Sequence, residues 1–186
     1  DYRVCTTSDG LAQLCKEDHN VKVTPSEIED MCKLDLLEFI LDKKDGKTMF
    51  AAVDCTGHGV PGAFMSIVGY NILKHAVNNH KYTTPSLLLD RLNEGVSETL
   101  HHGGHEHDEG AAKDGMDISF CTIDFKTLEL QYAGAFNPLL IIRDGQLMQT
   151  KADKFPIGLF LGEEKKKFTN HTIQLQRGDA VYIFSD

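Results

Sequence analysis

No tryptophan occurs among these 186 residues, and no two cysteines stand in a CxxC pair. The five cysteines, at positions 5, 15, 32, 55 and 121, are odd in number and widely spread. That pattern argues against a disulfide framework or a zinc knuckle and points to a reducing, cytoplasmic setting. Long apolar runs are missing as well. No stretch approaches the roughly 20 residues that span a bilayer, and no signal-peptide pattern opens the chain, so no membrane association is expected. Basic residues are the minority, 19 Lys and Arg against 28 Asp and Glu, for a net charge of -9. A phosphate backbone meets a repulsive average field, which removes nucleic acid as the expected partner.

What is present is a globular composition: 41% hydrophobic residues and 16 glycines in 20.7 kDa, enough for one domain with a real core. The chain starts at Asp1 without a Met and stops directly after the apolar run Val181-Tyr182-Ile183-Phe184, so it reads as a piece of something longer.

Residues 1–23 are polar without a sustained period and receive no assignment; together with the next ten they read as a linker, residues 1–33, ending in a short helix. That helix opens at Thr24-Pro25, with Ile28, Met31 and Cys32 on one face. Leu36 to Leu41 and Lys47 to Val53 read as strands joined around Lys44-Asp45-Gly46, where Asp-Gly supplies a tight turn. Pro61 opens a helix whose apolar face is expected to carry Phe64, Ile67, Val68, Ile72 and Leu73. Thr84-Pro85 opens a second, with Leu88, Leu89, Leu92 and Val96. From Ile118 onward six strands follow, Asp144-Gly145 marking a further hairpin. Strands grouped around a helical pair predict an α+β fold with mostly antiparallel sheet.

The chemistry-bearing stretch runs from Phe50 to Ala63: an apolar strand ends in Asp54, and a Gly-rich loop leads into a helix. Gly57, Gly59 and Gly62 have the GxGxxG spacing of a dinucleotide site. That reading lacks its second parallel strand and ribose-binding acid, and Asp54 would stand near a pyrophosphate. Read for metals instead, Asp54, Asp117 and Asp186 all sit at strand ends, where they either cap turns or furnish the oxygen ligands of hard divalent cations.

Five ordered motifs, Asp54-Cys55-Thr56-Gly57-His58-Gly59-Val60-Pro61-Gly62-Ala63, Asp114-Gly115-Met116-Asp117, Tyr132-Ala133-Gly134-Ala135-Phe136-Asn137-Pro138-Leu139, Pro156-Ile157-Gly158-Leu159, and Gly178-Asp179 through Phe184-Ser185-Asp186, resemble the PPM-type phosphatase domain of the SpoIIE-like, RsbU-like bacterial branch. The resemblance assigns residues 34–186 to a C-terminally incomplete domain of this type. It implies a four-layer αββα sandwich holding two manganese or magnesium ions, and hydrolysis of phosphoserine or phosphothreonine on a partner such as an anti-anti-sigma-like regulator. It makes Asp54 the bridging ligand, Cys55 a ligand through its backbone carbonyl, Asp186 the second main carboxylate and Asp117 a further acid of the cluster. Asp35 stands where the family has the Asp of a Gly-Asp pair, with Leu34 in place of the Gly. That departure motivates a second reading, a non-catalytic interaction module. The resemblance also suggests a homodimer.

His58 is either a general acid or a residue fixing the loop. Cys55 has no base partner that would make it a nucleophile. The run from His101 to Asp108 holds four histidines and two acids, a transition-metal site or a solvated Gly-rich loop. Lys165-Lys166-Lys167 with Arg177 steers an acidic partner or forms a solvated turn.

Overall fold

The computed structural model describes residues 2–6, 12–16, 37–44, 46–56, 60–80, 82–101, 115–158 and 166–184. Among the described residues, ten strands form two five-stranded sheets in which every strand pair is antiparallel. Sheet I contains β1 (Tyr2–Thr6), β2 (Ala12–Lys16), β7 (Leu139–Arg143), β8 (Gln146–Thr150) and β10 (Ala180–Ile183), in the order β1-β2-β10-β7-β8. Sheet II contains β3 (Leu37–Lys44), β4 (Lys47–Cys55), β5 (Met116–Asp124), β6 (Glu129–Ala135) and β9 (His171–Gln174), in the order β3-β4-β5-β6-β9. Between β4 and β5 the chain forms two helices, α1 (Val60–Asn79) and α2 (Pro85–His101).

The turns follow from local chemistry. Gly46 (φ 81°) turns β3 into β4, and Asp144 (φ 50°) with Gly145 (φ 74°) turns β7 into β8, both residue types that tolerate the left-handed region. At the β5–β6 turn the Asp124 carboxylate accepts the Lys126 N–H at 2.8 Å, an Asx-type closure.

Two cores flank sheet II. On one face Met49, Ala51, Val53, Ile118 and Phe120 pack with Leu73, Ala76 and Val77 of α1 and Leu88, Leu92 and Val96 of α2. On the other, Phe50, Ala52, Cys121, Ile123, Leu130 and Tyr132 meet Leu139, Ile141, Val181 and Ile183 of sheet I. Because β4 is central and covered on both faces, it reads as a continuous apolar run rather than an alternating one. Each fully buried Leu or Ile contributes about 1.5–3 kcal/mol of burial.

Two expectations change. The stretch 1–33 holds β1 and β2, and β2 joins sheet I by pairing Gln13 with Tyr182 and Ala12 with Ile183 of β10. Five-residue strands are too short to declare a period, and the strand that joins this pair to the sheet, β10, lies far along the chain. On α1, Phe64 and Ile67 point outward, 56% and 60% exposed, while Met65, Leu73, Ala76 and Val77 are buried. The helix is apolar nearly all round, so composition alone does not orient it. The expected helix after Thr24 lies outside the described residues. Both described helices lie against sheet II, and none is long and apolar enough to cross a membrane.

Candidate functional site

The alternation of β4 places Phe50 and Ala52 toward sheet I and Met49, Ala51 and Val53 toward the helices. Asp54 continues the first series and Cys55 the second. On β5, Ile118 and Phe120 face the helices and Cys121 and Ile123 face sheet I, so Asp117 and Ser119 also belong to the inter-sheet face. The register then sets Asp54 directly opposite Asp117 and Cys55 opposite Met116. Two half-buried carboxylates share one face at one end of the sandwich, with Cβ atoms about 4.5–5.5 Å apart as in any directly opposed pair. Two carboxylates so placed supply oxygen donors of the kind hard cations take.

Cys55 turns the other way. Its thiol accepts a hydrogen bond from the Ser66 hydroxyl at 3.3 Å on the α1 side. Burial, and to a lesser degree the Asp54 charge, outweigh that bond and push the thiol pKa up. The thiol therefore stays protonated at neutral pH and is no nucleophile.

The surroundings of the acid pair are built by a strand exchange. β6 leaves sheet II at Ala135 and crosses to sheet I through Phe136 (φ 59°), Asn137 and Pro138. The Asn137 carbonyl accepts hydrogen bonds from the Ser119 and Tyr132 hydroxyls, both at 2.7 Å, which pins the crossing two residues from Asp117. The Asn137 side-chain nitrogen is buried with no hydrogen-bond partner among the described residues. Where β6 departs, the segment from Asp153 to Ile157 takes its place. Asp153 N–H donates to Gly134 O at 3.0 Å and Phe136 N–H to Asp153 O at 2.9 Å, while Met116 and Ile157 exchange backbone bonds at 3.1 and 2.9 Å. Gly115 carries no side chain because a Cβ there would stand 2.6 Å from the Ile157 carbonyl oxygen. Its own carbonyl receives the Thr56 N–H at 2.8 Å, tying the loop after Asp54 to β5.

β10 runs toward this same end: Tyr182 pairs with Leu140, at the start of β7 and just past the Asn137 crossing. Asp186 follows three residues beyond Ile183 and lies outside the described residues, as do Asp35, His58 and all of the His-rich run but His101. Among the described residues no group of three or more His, Cys, Asp or Glu side chains is poised around one metal position. The dinucleotide reading is corrected: α1 leads into α2 rather than a second parallel strand, and β4 has only antiparallel neighbours.

Sequence reasoning missed the ties that hold this end from outside. On α2, Asp90 accepts the Phe168 N–H at 2.9 Å and Asn93 the Gly158 N–H at 2.8 Å, while Asn170 accepts the Ser86 N–H of the first turn at 3.2 Å. The signal available was polar residues on an otherwise amphipathic helix.

The comparisons follow this geometry. A search of curated proteins returns no match. The SiaA-PP2C domain of Pseudomonas aeruginosa superposes with a TM-score of 0.66 at 21% identity, over 80% of this chain and 54% of that one. The PP2C phosphatase domain, with a fragment of the regulatory domain, of SpoIIE from Bacillus subtilis gives 0.59 at 18%, over 78% and 39%. RsbX in complex with magnesium gives 0.59 at 14%, over 98% and 77%. The chain thus spans about half or less of the first two, and identities this low establish the fold, which is that of the PP2C phosphatases. The family model of stage II sporulation protein E (SpoIIE) matches residues 44–186, the part of the chain that carries the acid pair and the crossing at Asn137, and by that match the chain belongs to the SpoIIE family.

Proposed function

We propose that this chain is a metal-dependent protein phosphatase domain that removes phosphate from phosphoserine or phosphothreonine on a bacterial signalling partner. The observation that carries the reading is the direct opposition of Asp54 and Asp117 at the inter-sheet end of a PP2C-type sandwich. Opposed like charges are destabilising, and a divalent cation between them offsets the repulsion. An all-oxygen donor set suits magnesium or manganese rather than softer metals. The orphaned Asn137 amide, buried near the same end, adds a donor suited to an oxygen of a bound group.

In this reading Asp54, Asp117 and Asp186 hold two ions, with the Cys55 backbone carbonyl and Asp35 as further ligands. The ions, when bound, supply charge compensation for the phosphoryl group and acidify water. Water attacks phosphorus in line with the departing serine or threonine oxygen; among the described residues the Cys55 thiol is protonated and faces α1, and the Ser119 hydroxyl is engaged with the Asn137 carbonyl. His58, four residues after Asp54, is the candidate proton donor to that oxygen. Asn137, locked by Ser119 and Tyr132, orients an oxygen of the substrate.

Two neighbours support a reading of the substrate class. One is the structure of the RsbU and RsbW domains of Rv1364c from Mycobacterium tuberculosis, and another is the bacterial stressosome. By that likeness the substrate is a phosphorylated anti-anti-sigma-like regulator, met in the cytoplasm by a homodimer. The test is manganese-dependent hydrolysis of p-nitrophenyl phosphate by metal-stripped protein, abolished in Asp54→Asn. Turnover that persists in Asp54→Asn, or that needs no metal, overturns the mechanism. Manganese binding without any turnover makes the chain an interaction module.

A further inference from the structure

In a chain of net charge -9, four exposed lysines gather on two segments packed against each other, one of which, through Ile157, pairs with β5 next to Asp117. Lys151 and Lys154 flank Asp153 on the stretch that replaces β6 beside Met116, and Lys166 and Lys167 precede Phe168. The two segments are held together. Phe155 and Phe168 pack with ring centroids 4.6 Å apart, and the Lys166 ammonium lies 5.5 Å from the centre of the Phe155 ring. Two acids lie within the group and keep their charge: Asp153 accepts the N–H and hydroxyl of Thr169 at 2.8 and 3.1 Å, and Asp90 accepts the Phe168 N–H and faces Lys167, while Glu94 pairs with Arg91, so the lysines outnumber the carboxylates of this group among the described residues. Glu163, Glu164 and Lys165 lie outside the described residues.

Distance makes this arrangement useful. Ile157 pairs with Met116, the neighbour of Asp117, and Lys154 precedes Ile157 by three residues, so Lys154 lies within about 20 Å of the acid pair along the backbone. An extended peptide of roughly six residues spans that gap. A substrate whose phosphorylated residue reaches Asp54 and Asp117 and whose chain then follows the 153–157 segment brings its neighbouring residues to Lys154 and, past Phe155, to the remaining lysines. An acidic segment is attracted there, whereas the chain's net charge of -9 repels it on average.

We propose that Lys151, Lys154, Lys166 and Lys167 form a docking surface for an acidic segment lying within about six residues of the phosphorylated serine or threonine. The inference rests on the phosphatase reading and deepens it to a substrate feature. Exposed charges attract through rate and orientation more than through tight contact, so the surface acts on kcat/KM and fades with salt.

The experiment compares two phosphoserine peptides, one with glutamates at the flanking positions and one with glutamines, at about 20 and 300 mM salt. The expected result is an acidic-to-neutral kcat/KM ratio of about tenfold at low salt, shrinking toward unity at high salt. In Lys151→Glu/Lys154→Glu/Lys166→Glu/Lys167→Glu the ratio falls below one, and Lys→Gln at the same positions gives a ratio near one. A wild-type ratio of one, or a preference unchanged by charge reversal, overturns the docking surface. If no phosphoester is turned over, the phosphatase reading fails separately, and the same peptides are measured by fluorescence anisotropy: binding of the acidic peptide that reversal abolishes supports the surface, and equal binding of both peptides, or none, overturns it. Circular dichroism melting verifies that the reversed variant is folded.

Discussion

The Arg143 guanidinium grips the Asp179 carboxylate through two hydrogen bonds, Nε to Oδ1 at 2.9 Å and Nη2 to Oδ2 at 2.6 Å, and Nη2 also reaches the Gln174 carbonyl at 3.0 Å. Asp179 in turn accepts the Gln176 N–H at 2.9 Å, and Gly178 (φ 97°) opens the turn that makes room for it. One ion pair thus ties β7 of sheet I to the loop joining β9 of sheet II with β10 of sheet I.

The fork from Arg143 is the main reason that the Asp179 pKa lies below the ordinary carboxylate value, with the Gln176 N–H assisting against a burial effect of opposite sign. A depressed folded pKa means that the stabilisation is complete above the unfolded value near 4 and is lost as pH falls through the folded value. Asp179→Asn should therefore lower the melting temperature by roughly 5 °C at pH 7. Below about pH 4 the gap between wild type and variant should close. Thermal melts from pH 7 to pH 3 read both effects.

Asp54→Asn should produce opposite changes in two states of the protein. Without metal it removes a like-charge opposition and raises stability slightly, by about 0.2–1 kcal/mol. With manganese present, the melting-temperature rise seen for wild type should vanish, as should the calorimetric binding signal. Parallel melts with and without manganese check both signs.

Cys55 should behave as a packed thiol. Cys55→Ala should retain turnover within about threefold, with a stability cost of roughly 1 kcal/mol from lost packing. In wild type its alkylation by iodoacetamide at pH 8, mapped by mass spectrometry, should be slower than that of a model thiol, because burial raises its pKa. The fully buried Cys121, whose pKa is likewise raised by burial, should be slower still.

Gly115→Ala places a methyl group against a backbone oxygen, so β5 and the 153–157 segment must separate. The expected cost is about 1–3 kcal/mol, together with weaker manganese binding, because the same contact borders Asp117. By contrast, Phe64→Ser and Ile67→Ser on the exposed side of α1 should change stability by less than about 0.5 kcal/mol. Leu73→Ala, fully buried on the same helix, should cost about 2–5 kcal/mol. Urea titrations of the four variants separate these cases.

The elements that could be read from sequence are those whose cause is local. The Asp-Gly turn at 144–145 needs only residues that accept positive φ, and β4 announces itself as an apolar run ending in a carboxylate. β1 and β2 were not legible because their order depends on β10, some 170 residues away in the chain for Gln13 and Tyr182. The site was legible in part. That Asp54 and Asp117 end and begin strands followed from the apolar pattern, but their direct opposition depends on a nine-residue register that no spacing reveals. Asp90, Asn93 and Asn170 are polar residues like many others in the sequence, and only the folded chain shows each accepting a backbone N–H.

The burial of β4 on both faces also has a kinetic meaning. Its amides, paired along their length with β3 and β5 and sealed by two cores, belong to the part of the protein that exchanges hydrogen with solvent only on global opening. The edge strands β1, β8, β3 and β9, each with a single partner among the described residues, open first. Asp54 and Asp117 lie one pair inside the end of that protected unit, which closes with Cys55 opposite Met116, so local breathing at the sheet edges leaves their spacing intact.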